Sequence, residues 1–168
     1  MNNIKRMVKG VAVLAVLALL GCTPSQADES SAGALSGINH VAVQGINWFT
    51  VNGYRATLAG ESCCVMIPDQ WKPGLRAHVE WEVDPNPHAH LPPLGTEEYN
   101  KAYIQHKAKY QHYSADILIP QYKESAGIVV HFLPCHQVKI YAGISSYGAS
   151  NYPIKEPLDM KEPATCQK

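Results

Sequence analysis

Between Leu75 and Val83 the chain alternates strictly: Leu75, Ala77, Val79, Trp81 and Val83 are apolar, and Arg76, His78, Glu80 and Glu82 between them are polar. Successive side chains of a strand point to opposite faces, so this period of two demands a β-strand with one face in a core and the other in water. Its neighbours carry the same signals more faintly. Ile38 to Val51 alternates in part and reads as one or two strands joined near Gly45, and Asn52-Gly53 is a strong hairpin turn. Arg55 to Ala59 returns from that turn. Cys63 to Ile67 is a near-continuous apolar run of the kind buried on both faces. Ser114 to Pro120, Gly127 to Leu133 and Gln137 to Ile144 supply three further strands, with Val129, His131 and Leu133 on one face of the middle one.

The meander is interrupted once. Asp84 to Pro93 holds four prolines, which remove backbone donors and restrict the residues before them, so it is a stiff exposed loop. A helix is expected next: Thr96 is a natural N-cap, Glu97 and Glu98 suit the positive end of the dipole, and Lys107 and Lys109 suit the negative end. Tyr99, Tyr103, His106, Tyr110 and Tyr113 recur at helical spacing as an aromatic stripe that would pack the helix onto the sheet. The expected fold is mainly β: an antiparallel sheet or small β-sandwich of seven or eight strands, with one helix packed across it.

The first 22 residues are of a different kind. Lys5, Arg6 and Lys9 precede the apolar run Val11 to Leu20, which ends in Leu19-Leu20-Gly21-Cys22. The run is too short to span a bilayer, and the pattern is that of a secretory signal cut before Cys22. It resembles a bacterial lipobox. The resemblance implies that Cys22 becomes a lipidated N-terminus anchoring a soluble domain, and Thr23 in place of Asp implies the periplasmic face of the outer membrane. The organisation expected is a signal peptide over 1–21, a lipidated cysteine and flexible Ser-, Ala- and Gly-rich tether over 22–37, and one β-rich domain over 38–168.

Cutting the signal leaves 11 Lys and Arg against 14 Asp and Glu, a formal charge of −3, which argues against nucleic acid and anionic lipid as partners. Of the remaining cysteines, Cys63, Cys64, Cys135 and Cys166, an oxidising compartment favours pairing over free thiols. A Cys135–Cys166 bond would staple the proline-rich tail to the sheet. A crossed pairing through Cys63 or Cys64 is the next alternative, and a vicinal bond comes last because of its strain.

His88-Ala89-His90 is the sharpest metal suggestion, because two imidazoles one residue apart can share an ion, with His78, His131 or His136 as a third ligand. No second ligand pair at fixed spacing accompanies it, and the expectation is no metal and no cofactor. Gly143-Ile144-Ser145-Ser146-Tyr147-Gly148 misses the nucleophile elbow by one residue, and no helix pattern follows. An enzyme is not expected.

The segment Gly60-Glu61-Ser62-Cys63-Cys64-Val65-Met66-Ile67-Pro68-Asp69-Gln70-Trp71-Lys72-Pro73-Gly74-Leu75, running into the strand through Trp81, resembles a family of small Gram-negative lipoproteins defined by a domain of unknown function. The double cysteine, the Pro-x-x-Trp-x-Pro-Gly turn, Leu94-Gly95-Thr96, the Tyr-rich helix and Val130-His131-Phe132-Leu133-Pro134 carry the likeness over about residues 37 to 142. Cys135, Cys166 and the longer tail depart from it. In the turn, Pro68 and Pro73 add stiffness and Trp71 would cap the core, so Cys63, Cys64 and Trp71 read as fold determinants. Members of that family often stand beside lipase or phospholipase effectors of the type VI secretion system. The resemblance therefore implies an immunity lipoprotein whose partner is such an effector. Its contacts are expected in two loops, with His88 and His90 in one and Tyr147 and Tyr152 in the other. Other readings are a metal-binding or envelope-sensing lipoprotein using the His88/His90 loop, and an accessory structural lipoprotein.

Overall fold

The computed structural model describes residues 29–166. The signal segment, Cys22 and the first residues of the expected tether lie outside the described residues. Eight strands and one helix follow in the order β1 (Ser30–Asn39), β2 (Gly45–Val51), β3 (Tyr54–Ala56), β4 (Ser62–Pro68), β5 (Arg76–Asp84), α1 (Glu97–Lys107), β6 (Gln111–Leu118), β7 (Gly127–Leu133) and β8 (Gln137–Ala142). They form two four-stranded sheets, β4-β1-β7-β8 and β3-β2-β5-β6.

The alternating segment is β5, the strand that anchors the second sheet. It pairs antiparallel with β2 on one side and β6 on the other, and sends Ala77, Val79, Trp81 and Val83 into the core. From the first sheet come Leu35, Val65, Ile128, Val130, Phe132 and Ile140, so both sheets share one apolar interior. Phe132 lies at its centre, with ring centroids 5.3 Å from Phe49 and 6.0 Å from Trp81. Trp71 packs against the edge of this core and donates its indole N–H to the Ile119 carbonyl at 2.9 Å, the capping role expected of it. The Asn52-Gly53 turn joins β2 to β3 with both residues at positive φ, 51° and 84°, as a type I′ turn requires.

Three expectations are corrected. Ser30 to Gly37 is not tether but most of β1, which lies inside the first sheet, antiparallel to β4 and parallel to β7. Two pairing partners supply what its composition does not advertise, and small residues are what the site accepts: a Cβ on Gly127 would collide with the Ala34 carbonyl. Strand β4 is an edge strand, not one buried on both faces. It alternates, with Val65 and Ile67 inward and Met66 43% exposed. Helix α1 starts at its Thr96 cap, whose hydroxyl accepts the Tyr99 N–H at 3.1 Å, but it buries no residue and does not lie across the core. The aromatic stripe outruns it: Tyr110 falls past its end and Tyr113 lies on β6.

Beyond β8 the chain folds back over the outer face of the first sheet. Val41, Leu133, Tyr152 and Ile154 are buried there, apart from the main core. Met160 bridges this segment to β1's extension, donating to the His40 carbonyl at 2.6 Å and accepting from Ala42 N–H at 3.0 Å. The segment ends at Cys166, paired with Cys135 across a Cα separation of 5.5 Å, while Cys63 pairs with Cys64, the arrangement that sequence placed last. Closing a loop of 31 residues restricts the unfolded chain by about 3 to 4 kcal/mol in the chain-entropy account. Cys166→Ser is expected to lower unfolding free energy by about 2 to 4 kcal/mol. Limited proteolysis of that variant should cut first between 143 and 166, and cleavage elsewhere first would contradict the staple.

Candidate functional site

The most deeply buried polar constellation lies under the returning segment. His40 follows β1 and extends its ladder to β7 through a 2.9 Å bond from its N–H to the Phe132 carbonyl. His131 stands on β7, on the face turned away from the main core. Both are 0% exposed and Tyr152 is 1% exposed. His40 Nδ1 lies 2.9 Å from the Pro157 carbonyl, His40 Nε2 lies 2.8 Å from His131 Nδ1, and His131 Nε2 lies 2.7 Å from the Tyr152 hydroxyl.

The direction of this chain follows from its end. A carbonyl only accepts, so His40 Nδ1 carries the proton and Nε2 is bare. His131 Nδ1–H then donates to His40, and the Tyr152 hydroxyl donates to His131 Nε2. The two imidazoles thus hold both Tyr152 and Pro157 of the returning segment. Burial, followed by the neighbouring His40, lowers the His131 pKa from 6.5 to about 4. Burial, with Tyr141 and Tyr147 nearby, pushes the Tyr152 hydroxyl far up. Tyr147 completes the enclosure by packing on His40, His131 and Tyr152 and donating to the Glu156 carbonyl.

Alongside runs a cleft of about 260 Å³ between the outer faces of β1 and β7 and the loop after β8, with Ser36, Ile38, Val129, Ser145 and Tyr147 among its walls. Ser145 Oγ there accepts from Asn151 at 2.7 Å.

The outer face of the second sheet is a contrast, since among the described residues only its Asp84 end is covered, by His106 of α1. Register aligns Trp48, Glu82 and His112 in one row, Arg55, Thr50, Glu80 and Ser114 in the next, and His78 beside Asp116 in a third. The Arg55 guanidinium stacks 4.4 Å over Trp48, and Trp48 and His112 have ring centroids 5.9 Å apart. Glu82 accepts from Asn47 at 3.0 Å and lies 3.2 Å from His112. His78 Nδ1 lies 2.8 Å from Asp116, which holds the imidazole pKa above its ordinary value, with Glu80 adding to the effect.

Asp84 carries this face into the proline loop. One carboxylate oxygen accepts the Asn86 N–H at 2.9 Å, and the other lies 2.9 Å from His106 Nε2 on the helix. Ala89 N–H closes a turn onto Asn86, and Thr96 donates to Pro93. The loop is therefore fixed at both ends.

Of the residues singled out in the sequence, His88 and His90 are exposed on that loop. Tyr147 is half-buried with its hydroxyl engaged. Tyr152 is corrected: it is a buried partner of His131, since the returning segment turns its ring inward. The two loops share no hydrogen bond or ring contact among the described residues. Sequence reading missed His40, which falls in no periodic run. His131 was legible as a strand histidine sharing a face with Val129 and Leu133, and its partners were not.

The chain belongs to the family described as Protein of unknown function (DUF3304), which matches residues 38–140. That span includes both histidines of the buried chain but ends before Tyr147 and Tyr152. No curated protein and no solved structure matches the sequence.

A His131 pKa depressed to about 4 has a definite sign. The unfolded chain takes up a proton near pH 6.5 that the folded chain refuses. The His131 contribution is therefore complete above pH 6.5 and is lost as pH falls toward 4, on the order of 3 kcal/mol. Unfolding free energy followed by urea titration across this range should fall less steeply in His131→Leu than in the wild type. The variant should already be weaker at pH 7.5, by about 1 to 3 kcal/mol, because His40 and Tyr152 lose their partner. Identical pH slopes would contradict this account.

Proposed function

We propose that this chain is a lipid-anchored immunity protein of the periplasmic face of the outer membrane, which binds and occludes a phospholipase or lipase effector of the type VI secretion system. The observation that supports the reading most is the uncovered outer face of β3-β2-β5-β6, continuous through Asp84 with the exposed loop bearing His88 and His90. With the two sheets stacked as a small sandwich, that face is a rigid platform and the loop its protrusion. Trp48 and Arg55 are residue types that anchor interfaces, and a loop already pinned by Asp84 and Thr96 loses little further entropy on docking. The lipobox-like leader supports the location, because an anchor at Cys22 would hold the domain where an incoming lipase meets membrane phospholipid.

The binding step is occlusion rather than chemistry. The outer face lays Glu80 and Glu82 beside Trp48 and Asp116 two rows further along, with His78 and His112 sharing those carboxylates, so basic and aromatic groups at the rim of a lipase cleft would find complementary partners. The metal reading of the His88/His90 loop gains no support from geometry, since no third ligand gathers there among the described residues.

The test is inhibition in solution. The mature chain carrying Cys22→Ser should bind the lipase encoded beside its gene and abolish its phospholipid hydrolysis at stoichiometric ratio. His88→Ala with His90→Ala, and separately Trp48→Ala, should each weaken binding about tenfold or more, roughly 1.4 kcal/mol, with the melting temperature of the histidine pair unchanged. Undiminished hydrolysis under a saturating excess of folded chain would remove the reading.

A further inference from the structure

The tail staple has an unusual surrounding. The sulfurs of Cys135 and Cys166 and a carboxylate oxygen of Glu162 all lie within 4.8 Å of one another. Glu162 is held there by its Oε2, which accepts the Cys135 backbone N–H at 2.9 Å. Its other oxygen, Oε1, is buried and has no partner. Among the described residues only one other buried side-chain atom is orphaned in this way, and it is Nδ1 of His136, the residue next to Cys135.

The state of that imidazole can be worked out. The Tyr113 hydroxyl donates to Gln111 Oε1 at 2.6 Å and lies 2.9 Å from His136 Nε2, while the two rings stack at 3.9 Å. The single hydroxyl proton is already given to Gln111, so His136 Nε2–H donates to Tyr113. The carboxylate oxygen of Glu162 thus stands buried without any donor beside a pair of cysteines. Buried acceptors in this condition call for a positive charge.

We infer that Cys135, Cys166 and Glu162 form a binding site for a divalent ion of the zinc class when the Cys135–Cys166 disulfide is reduced. Two thiolates and a carboxylate, with the fourth position open to water, are a donor set that suits a tetrahedral, borderline-soft cation. The electron balance is simple. A dithiol reductant gives the disulfide two electrons and two protons and leaves as its own disulfide; each new thiol then releases its proton as the cation takes its place. Cys166 is exposed near the end of the tail, so a reductant can reach it and its sulfur can move to open the site. The ligands come from positions 135, 162 and 166, a spacing with no local motif, which is why sequence alone pointed instead to His88 and His90. The tail would then be held by a covalent bond under oxidation and by a cation under reduction.

Cobalt(II) reports such a site directly, through thiolate charge-transfer bands and the visible absorption of a tetrahedral ion. The full mature chain, reduced with a dithiol, should take up one Co²⁺ that Zn²⁺ displaces, and the oxidised chain should show neither band. Differential alkylation and peptide mapping then locate the thiols, which matters because reduction also frees Cys63 and Cys64. Bound Zn²⁺ should slow alkylation of Cys135 and Cys166 together, and Glu162→Gln should weaken binding about tenfold or more with unchanged near-UV dichroism. Protection confined to Cys63 and Cys64, equal binding by oxidised and reduced chains, or an affinity indifferent to Glu162→Gln would each overturn the inference.

Discussion

The parallel pairing of β1 with β7 is the constraint on which the rest of the molecule depends. It runs from Ala34 opposite Gly127 to Asn39 opposite Phe132 and places β1 between β4 and β7. Without that strand the first sheet separates into an isolated edge strand and a hairpin, and Phe132 loses the wall that seats it between Phe49 and Trp81. The pairing also delivers His40 to the end of β7 and so makes the contact with His131 possible. Parallel strands need long connections, and here nearly the whole domain lies between them.

From this follows the division of labour between the two sheets. The outer face of the first is occupied by the chain's own C-terminal segment, held by the imidazole pair, the Met160 bridge, the Lys139–Glu156 ion pair and the Cys135–Cys166 bond. Among the described residues the outer face of the second has no such cover. Its carboxylates are shared with histidines on neighbouring strands, and its aromatic contacts are stacked in the open. Strand β1 thus completes the first sheet, the C-terminal segment seals its outer side, and the outer side of the second sheet stays open among the described residues.

Legibility in the sequence tracked how local each cause was. The alternation of β5, the Asn52-Gly53 turn and the Thr96 cap are decided within a few residues, and all three stand where the residues say. The polar face of β5 was readable for the same reason. Strand β1 was not, because Ser, Ala and Gly are the composition of a linker. What makes them a strand is close approach to β7, where a Cβ on Gly127 has no room and one on Gly37 would strike Leu58 and Phe49. The aromatic stripe kept helical spacing past the point where the helix stops, and so overstated its reach. Tyr152 looked like an exposed loop residue because nothing nearby in sequence announces His131, 21 positions earlier, as its partner.

The central claim is that β1 and the C-terminal segment close one sheet and leave the outer face of the other uncovered, and hydrogen exchange tests it most directly. Exchange would be followed peptide by peptide on residues 22–168 alone and with the lipase effector proposed above as its partner. The account predicts slow exchange in β1 and around Tyr152 to Met160 before the lipase is added. New protection should then be confined to β2, β5, β6 and the loop from Asp84 to Pro93. Fast exchange through β1 in the free chain, or new protection on the C-terminal segment in place of the second sheet, would contradict it.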